Sequence, residues 1–335
     1  MRAMQIRRFG PPAVLEETTL PDPTPQHGHV VVEIAAAGVN FADVLTRAGR
    51  APGGRSIPLP AVLGSEVGGV VVATDAGVDA PKVGSTVVAG TGGLGGYAQL
   101  ARVPAAGAVL VPDGLDVDAA VALFVQGRTA LALARRAGIT RGDRVLVLAA
   151  AGGVGSVVVQ LATAEGALVV GAASGRAKTD LVRQLGADMA VDAGDERWPD
   201  IVRAAVGEID VVLDGVGGHV GRAAFELLAP RGRILIFGFA SGSVTAASLD
   251  EVLNRAVTVV GFGGGKQFAT PDEATGLANE VLRLAADGKV RPLIGQRFSL
   301  ADAAAAHRAV ESRAAVGKTL LIPKSELRTS MPFLR

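Results

Sequence analysis

No cysteine occurs in the 335 residues, which excludes disulfides, thiolate nucleophiles, iron–sulfur clusters and every zinc site that uses a thiolate. Four histidines remain. His27 and His29 are spaced to share one face of a strand, but a pair without a third ligand is a poor metal site, and no metal is expected. Tyrosine and tryptophan occur once each, so with Tyr97 alone a phenol proton donor is hardly available. An excess of either charge is also missing: 33 Lys and Arg stand against 32 Asp and Glu with no basic cluster. Nothing marks a nucleic-acid surface, and a small-molecule partner is expected instead.

Long hydrophobic runs are scarce too. The longest apolar region, about residues 145 to 173, is broken by glycines and by Gln160, Thr163 and Glu165, so no segment reads as a membrane span. The opening "MRAMQIRRFGPP" meets Phe9-Gly10-Pro11-Pro12 where a signal peptide would turn apolar. A cytoplasmic location is expected. What the chain has in quantity is glycine, 45 residues, and an apolar fraction of 49%, enough to fill the two cores that its length favours.

Two glycine loops compete as nucleotide sites. "GTGGLG", Gly90 to Gly95, fits G-x-G-x-x-G letter for letter, while "AAGGVG", Ala150 to Gly155, has alanine at the first position. The fingerprint works only between a strand and a helix, because the pyrophosphate rests on free N–H groups at the helix N-terminus. After Gly95, Tyr97 to Val103 is short, alternates weakly and ends at Pro104, with further strand-like residues at Ala108 to Val111. A β-hairpin with a glycine-rich turn is predicted there. After Gly155, by contrast, Val154, Val157, Val158, Leu161 and Ala162 fall on one face of a helix. Before it, "DRVLVLAA" is continuous and apolar, as in a parallel sheet. The inexact loop has the right context. Ala150 is tolerable at negative φ, Gly152 lets backbone approach phosphate, Gly153 and Val154 open the helix, and Gly155 lets helix and strand pack closely. A third decoy, Gly317-Lys318-Thr319, resembles a P-loop tail, but Ser312 stands where its first glycine belongs and a strand follows.

The alternation continues with strand "ALVVGAA", helix "KTDLVRQLG", strand "MAVD", a helix around Ile201 to Val206, strand "IDVVLDGVG", helix "RAAFELLAP", strand "GRILIFG" and "AVTVVGF". That order predicts a doubly wound α/β domain over residues 124–265. Dinucleotide domains that bind NAD place an acid about 20 residues past the glycines, on the ribose. Here the second strand ends Ser174-Gly175-Arg176-Ala177-Lys178, with no acid. Arg176 and Lys178 would each add a charged hydrogen bond of roughly 1.5 to 3 kcal/mol to a 2′-phosphate, so NADPH is expected over NADH. Residues 1–123 read as many short strands divided by Pro and Gly. Residues 266–335, with "RPLIGQRFSL", helix "ADAAAAHRAVESR" and strand "GKTLLIP", are expected to return to that first, mostly β domain.

Taken together, "AAAGVNFADVLTRAG", "LPAVLGSEVGGVVV", "GGYAQL", "GRTAL", "AAAGGVGSVVVQLA", "VLDGVGG" and "FSLADAAAAHRAVESRAAVGKTLLIP" resemble the zinc-free quinone oxidoreductase branch, zeta-crystallin-like, of the medium-chain dehydrogenase/reductase superfamily. The resemblance covers essentially the whole chain. It implies a GroES-like mostly β domain and a Rossmann domain with NADPH in the cleft between them, and a cytosolic homodimer formed through the edge strand "AVTVVGF". Zinc-dependent alcohol dehydrogenases of that superfamily carry cysteine and histidine where this chain has Ala37 and Ser65, the latter within Gly64-Ser65-Glu66. Without a Lewis acid a simple ketone is hard to polarise. A conjugated acceptor, a quinone or an α,β-unsaturated carbonyl, spreads the incoming charge to its oxygen, where hydrogen bonds suffice.

By the same resemblance Asn40 and Asp43 are assigned to that oxygen or to the nicotinamide ribose. Otherwise Asn40 caps a turn and Asp43 is the N-cap of helix "VLTRAG". The resemblance also implies Thr129 near the nicotinamide, Lys178 on the 2′-phosphate, and Gly215, Val216, Gly238, Phe239, Ala240, Ser241, Phe262, Gly263 and Gly264 along the cofactor, with Arg313 from the last helix. Two departures stand out: Leu45 and Ala193 occupy positions where many members have tyrosine, and protonation from water or cofactor ribose is expected. The alternatives are an enal, enone or enoyl-thioester reductase, for which Arg47, Arg50 and Arg55 are candidates for a basic mouth, and a non-catalytic NADPH-binding structural protein. Phe41, Leu45, Phe124, Phe239, Phe262 and Phe268 are candidates for shaping the acceptor site.

Overall fold

Arg144–Leu148, Leu168–Ala173 and Ile209–Asp214 are rich in valine and leucine with no polar alternation, and each is buried on both faces. Such strands belong inside a parallel sheet. In the computed structural model, which describes residues 1–323 except 55, 264–267 and 269, they are central strands of one. Its six strands run Met189–Asp192, Leu168–Ala173, Arg144–Leu148, Ile209–Asp214, Leu228–Ile236, Thr258–Gly261, all parallel. In chain order this is 3-2-1-4-5-6, the doubly wound nucleotide-binding topology, with its reversal between Arg144–Leu148 and Ile209–Asp214.

The chain divides into two units, one of Met1–Val125, Pro271–Ala286 and Leu293–Arg335, the other of Gln126–Thr270 and Asp287–Pro292. The expected divides were after residues 123 and 265. The second unit contains the six-stranded sheet and a core of residues such as Leu146, Val170, Val212, Phe225 and Ile234. Its helices are Gly153–Ala164, Arg176–Gln184, Trp198–Val206, Gly218–Glu226 and Leu249–Arg255.

Two local expectations differ from the structure, and one helix was not expected. The helix expected over "RAAFELLAP" ends at Glu226, and Leu228 to Pro230 already belong to the next strand. Helix Gly153–Ala164 buries Gly155, Ser156, Val157, Val158, Val159 and Ala162, a wider face than the five predicted residues, and Val154 and Leu161 are only half-buried. Helix Leu249–Arg255 was not anticipated: it is only seven residues long and buries none of them, although Leu249, Val252 and Leu253 stand at i, i+3 and i+4. Its signal was the capping box, in which the Ser248 hydroxyl accepts from Glu251 N–H and the Glu251 carboxylate accepts from Ser248 N–H.

Helix Val117–Ala137 also went unread. By length and composition it is apolar enough to cross a membrane, but 61% of its apolar 18-residue stretch is buried inside the protein, so packing accounts for its apolarity.

The first unit is built on a three-stranded antiparallel sheet (Glu16–Thr19, Arg2–Ile6, Ala61–Val62) and a seven-stranded mixed sheet. The latter runs Ile294–Ser299, Lys318–Ile322, His29–Val39, Glu66–Thr74, Thr86–Gly90, Val109–Leu110, and Leu100–Pro104 also pairs with His29–Val39. The predicted hairpin is therefore absent. Thr86–Gly90 pairs with Glu66–Thr74 and Val109–Leu110, whereas Leu100–Pro104 crosses to His29–Val39. The glycine-rich stretch between them turns through positive φ at Gly92, Gly93 and Gly95 and closes on Gly64, whose carbonyl accepts from Gly96 N–H (3.1 Å) and Thr91 Oγ1 (2.6 Å).

Close backbone packing at Gly155 is testable. A Cβ there would lie 2.4 Å from the Ala149 carbonyl oxygen and 2.9 Å from Ala150 Cα. Gly155→Ala should lower unfolding free energy by about 1 to 3 kcal/mol, measured by denaturant titration, since backbone cannot swing aside as a side chain would.

Candidate active site

Each nucleotide-loop residue in the second unit lies after the carboxyl end of a parallel strand, where such sheets hold ligands. After Arg144–Leu148, Ala149 takes the left-handed conformation (φ 51°) and Ala150 does not, so alanine is tolerated at the fingerprint's first position. Gly152 is the extended N-cap of helix Gly153–Ala164. The N–H groups of Gly153, Val154 and Gly155 belong to the first turn, which has no carbonyls one turn back to pair with.

After Leu168–Ala173 come Ser174, Gly175 (φ 82°), and then Arg176 and Lys178 at the start of helix Arg176–Gln184. The Arg176 side chain is 94% exposed. Lys178 is half-buried, and burial moves its ammonium below the usual lysine range. Sequence reasoning missed Asp192, at the end of the neighbouring strand. Its Oδ1 accepts from the N–H groups of Gly175 and Gly194, both at 2.9 Å, and these bonds hold its carboxyl below the ordinary value.

The loops after Ile209–Asp214 and Leu228–Ile236 brace each other. Fully buried Asp214 accepts from Val216 and Gly217 N–H, both at 2.8 Å, and from the Thr245 hydroxyl. Ala240 N–H donates to Gly215 O and Ser241 N–H to Val216 O. A Cβ on Gly238 would lie 2.7 Å from Gly215 O, so the second loop needs glycine where the two touch. Phe239 is exposed, Phe262 is buried edge-on against Phe268, and Gly263 is exposed. Thr129 is half-buried on helix Val117–Ala137, and Gly264 lies outside the described residues.

The first unit places Asn40 and Asp43 in a buried polar cluster, and its register explains why. Strand His29–Val39 runs antiparallel to both neighbours, with Thr319 opposite Val39 and Val67 opposite Ala37. Its end therefore meets the beginnings of Glu66–Thr74 and Lys318–Ile322, which gathers Asn40, Glu66 and Lys318 at one point. Glu66 and Lys318 form a buried ion pair, at 0% and 2% exposure. Lys318 Nζ also donates to Asn40 Oδ1 (2.7 Å), and Asn40 Nδ2 donates to Glu66 Oε1 and Ser65 Oγ, both at 2.9 Å. Val125 N–H donates to Glu66 Oε2 at 3.1 Å. Gly38 makes the room: a Cβ there would lie 2.4 Å from Glu66 Oε1 and 2.6 Å from Lys318 Cε. Lys318, read from sequence as part of a P-loop decoy, is a member of the candidate site.

Asn40, and not Asp43, is the N-cap of helix Phe41–Arg47. Asp43 is its third residue and accepts from Asn40 N–H at 2.8 Å, the reciprocal half of a capping box. Ser65 Oγ and Tyr97 Oη also donate to Asp43, at 3.3 and 3.4 Å, and Tyr97 Oη lies 2.9 Å from His307 Nε2. Burial, opposed by the Asn40 N–H bond and by Lys318, pushes the Asp43 carboxyl up to about 6. Burial, aided by Arg47, pushes His307 down to about 3, and the buried Tyr97 phenol is raised well above its ordinary value.

Other expectations are corrected. Arg313 lies beyond the end of helix Ala303–Glu311, in a turn with φ 59°. Arg47 is no part of a basic mouth, because it is 1% exposed and paired with Glu311 at 3.1 Å, and Arg55 lies outside the described residues. His27 precedes the strand that begins at His29, and its ring faces Asp75 at 3.4 Å.

The sequence matches two family models: "Alcohol dehydrogenase GroES-like domain" over residues 26–113 and "Zinc-binding dehydrogenase" over 153–281. The quinone oxidoreductase of Pseudomonas aeruginosa is 35% identical, over 96% of this chain and 99% of its own. The chain belongs to the quinone oxidoreductase branch of the medium-chain dehydrogenase/reductases. The crystal structure of Escherichia coli quinone oxidoreductase complexed with NADPH superimposes with a TM-score of 0.90 at 30% identity, covering 96% of this chain and 100% of that one. A mycobacterial protein complexed with NADPH gives 0.89 at 34%, with the same coverage. The first unit is thus the GroES-like domain and the second the Rossmann domain of an enzyme family.

The zinc in the family description does not fit these residues. Ala37 has no donor atom, Ser65 offers a neutral hydroxyl already bonded to Asn40 and Asp43, and the Lys318 ammonium lies on Glu66. Among the described residues no three His, Asp or Glu side chains converge on a point. Removing one partner of the buried ion pair leaves an uncompensated charge, so Lys318→Met should lower stability by about 3 to 5 kcal/mol in denaturant titration. Adding Glu66→Gln should return part of that loss.

Proposed function

We propose that this chain reduces quinones and related conjugated carbonyls with NADPH and without a metal. The observation that carries this reading is the buried Lys318–Glu66–Asn40 cluster, a fixed organic cation at the strand ends where metal-dependent members place ligands. An ammonium donates hydrogen bonds but cannot take a carbonyl oxygen as an inner ligand, so the acceptor must stabilise its own developing charge. Conjugated carbonyls do so.

Gly152, Gly153, Val154 and Gly155 would hold the pyrophosphate, and Ser174, Arg176 and Lys178 the 2′-phosphate. Gly215, Val216, Gly238, Phe239, Ala240, Ser241, Phe262, Gly263 and Gly264 would line the dinucleotide, with Thr129 and Arg313 completing the set. When bound, the reduced nicotinamide supplies hydride. The Asn40 amide, locked by Lys318 and Glu66, would orient the acceptor oxygen or the nicotinamide ribose, and Asp43 lies one helical turn beyond it. Arg47, withdrawn into the protein by Glu311, gives no support to a thioester tail site.

Loss of NADPH absorbance with a panel of benzo- and naphthoquinones tests the activity, and no turnover with any of them rejects it. Arg176→Ala and Lys178→Ala should each weaken NADPH about 10- to 100-fold and leave NADH within a few-fold, because each removes one charged hydrogen bond to phosphate. Equal losses for both nucleotides would reject the 2′-phosphate assignment.

We also infer a homodimer through the sheet edge Thr258–Gly261. Val244, Leu249, Leu253 and Val259 are all exposed in this part of the chain, at 62, 86, 78 and 41%. Gel filtration should give a dimer that Leu253→Lys with Val259→Lys converts to a monomer.

A further inference from the structure

Every described hydrogen bond to the Asp43 carboxyl falls on one oxygen. Oδ2 takes the Asn40 N–H, the Ser65 hydroxyl and the Tyr97 phenol, and Oδ1 takes none among the described residues. On Oδ2 a proton would oppose the Asn40 N–H, which cannot turn away, and would force the two hydroxyls to reorient, so a proton on this carboxyl sits on Oδ1. We propose that Asp43 is the catalytic acid that protonates the acceptor oxygen from Oδ1, with Tyr97 and His307 as positioning residues behind Oδ2. It rests on the quinone-reduction reading above.

The neighbouring groups divide the work. Tyr97 and His307 are buried at 0% exposure and meet edge-on, ring centroids 5.5 Å apart. His307 Nδ1 is buried without a hydrogen-bond partner. A bare ring nitrogen is better tolerated there than an orphaned N–H, so the proton belongs on Nε2, which donates to Tyr97 Oη, leaving the phenol hydrogen for Asp43. Burial keeps both rings neutral around neutral pH, so they orient the carboxyl and do not titrate with it. Lys318 lowers and Glu66 raises the proton affinity of Asp43, Arg47 acts on the His307–Tyr97 pair, and burial dominates at Asp43 itself. Asp43 is the member of the cluster poised to exchange a proton near neutrality.

The step balances. The acceptor gains two electrons and one hydrogen as hydride from bound NADPH, which is oxidised. Its oxygen gains the proton from Asp43 as the Oδ1–H bond breaks and a new O–H bond forms. The carboxylate then takes a proton from water. This assignment replaces the expectation of protonation by water or cofactor ribose.

The test is the pH profile of kcat with NADPH and a benzoquinone for the wild type, Asp43→Asn and Tyr97→Phe, together with infrared titration of the carboxyl in the free protein. The wild-type kcat should fall above about pH 6, because the acid form is lost as pH rises through the raised value. Asp43→Asn should lower kcat about 100-fold or more, lose the break and change KM little, as general acids contribute 10²–10⁴-fold. Tyr97→Phe should keep the break but move it to higher pH, since the carboxylate loses a donor. A flat wild-type profile, or an unchanged break in Asp43→Asn, overturns the proposal. Should Asp43→Asn not fold, the wild-type and Tyr97→Phe profiles decide. If the wild type reduces no acceptor, the proposed function fails on its own. The infrared titration still decides the protonation claim: a protonated-carboxyl band at acid pH, lost through about pH 6, supports it, and its absence overturns it.

Discussion

The Lys318–Glu66 ion pair is the constraint on which the GroES-like unit depends. Two charges withdrawn from water are tolerated only when each is paired and hydrogen-bonded, and here the partners come from strand ends and from helix Val117–Ala137. Glu66 has Lys318, Asn40 and the Val125 N–H, while Lys318 has Glu66 and Asn40. Gly38 must stay without a side chain because the pair occupies the space beside it. Asn40 is thereby fixed at the mouth of helix Phe41–Arg47, which in turn fixes Asp43 through the capping box. One ion pair thus organises both residues assigned to the chemistry.

In the proposed reaction, the same arrangement is the reason a conjugated acceptor is required. A metal would accept the carbonyl oxygen as a ligand, whereas an ammonium already bonded to Glu66 and Asn40 acts only by orienting an amide and by its field. Stabilisation of the developing oxyanion must then come from delocalisation within the acceptor and from a proton. Under that proposal the cluster separates these duties: the charged residues would hold geometry, and the buried carboxyl of Asp43, next to two neutral rings, would hold the exchangeable hydrogen.

Much of the Rossmann unit was legible, because strands buried on both faces read as unbroken apolar runs and Gly155 marks close helix–strand approach. The helix Leu249–Arg255 went unread because its apolar pattern spans only two turns and both leucines face outward in the fold, although its capping box was written in Ser248 and Glu251. Asp192 was missed because it follows a different strand from the one that feeds Ser174 to Lys178. In the other unit two motifs were recognised as decoys without their real use being visible. The perfect glycine fingerprint closes on Gly64 beside Ser65, and Lys318 of the apparent P-loop tail is the buried cation. Both uses arise from strand pairing distant in sequence, which no local pattern encodes.

The most direct test of the central claim is quinone-dependent NADPH oxidation by protein treated with a strong chelator, with its metal content measured in the same sample. Full turnover in protein carrying no stoichiometric metal is the expected result. Activity that disappears on chelation and returns with zinc would contradict the account.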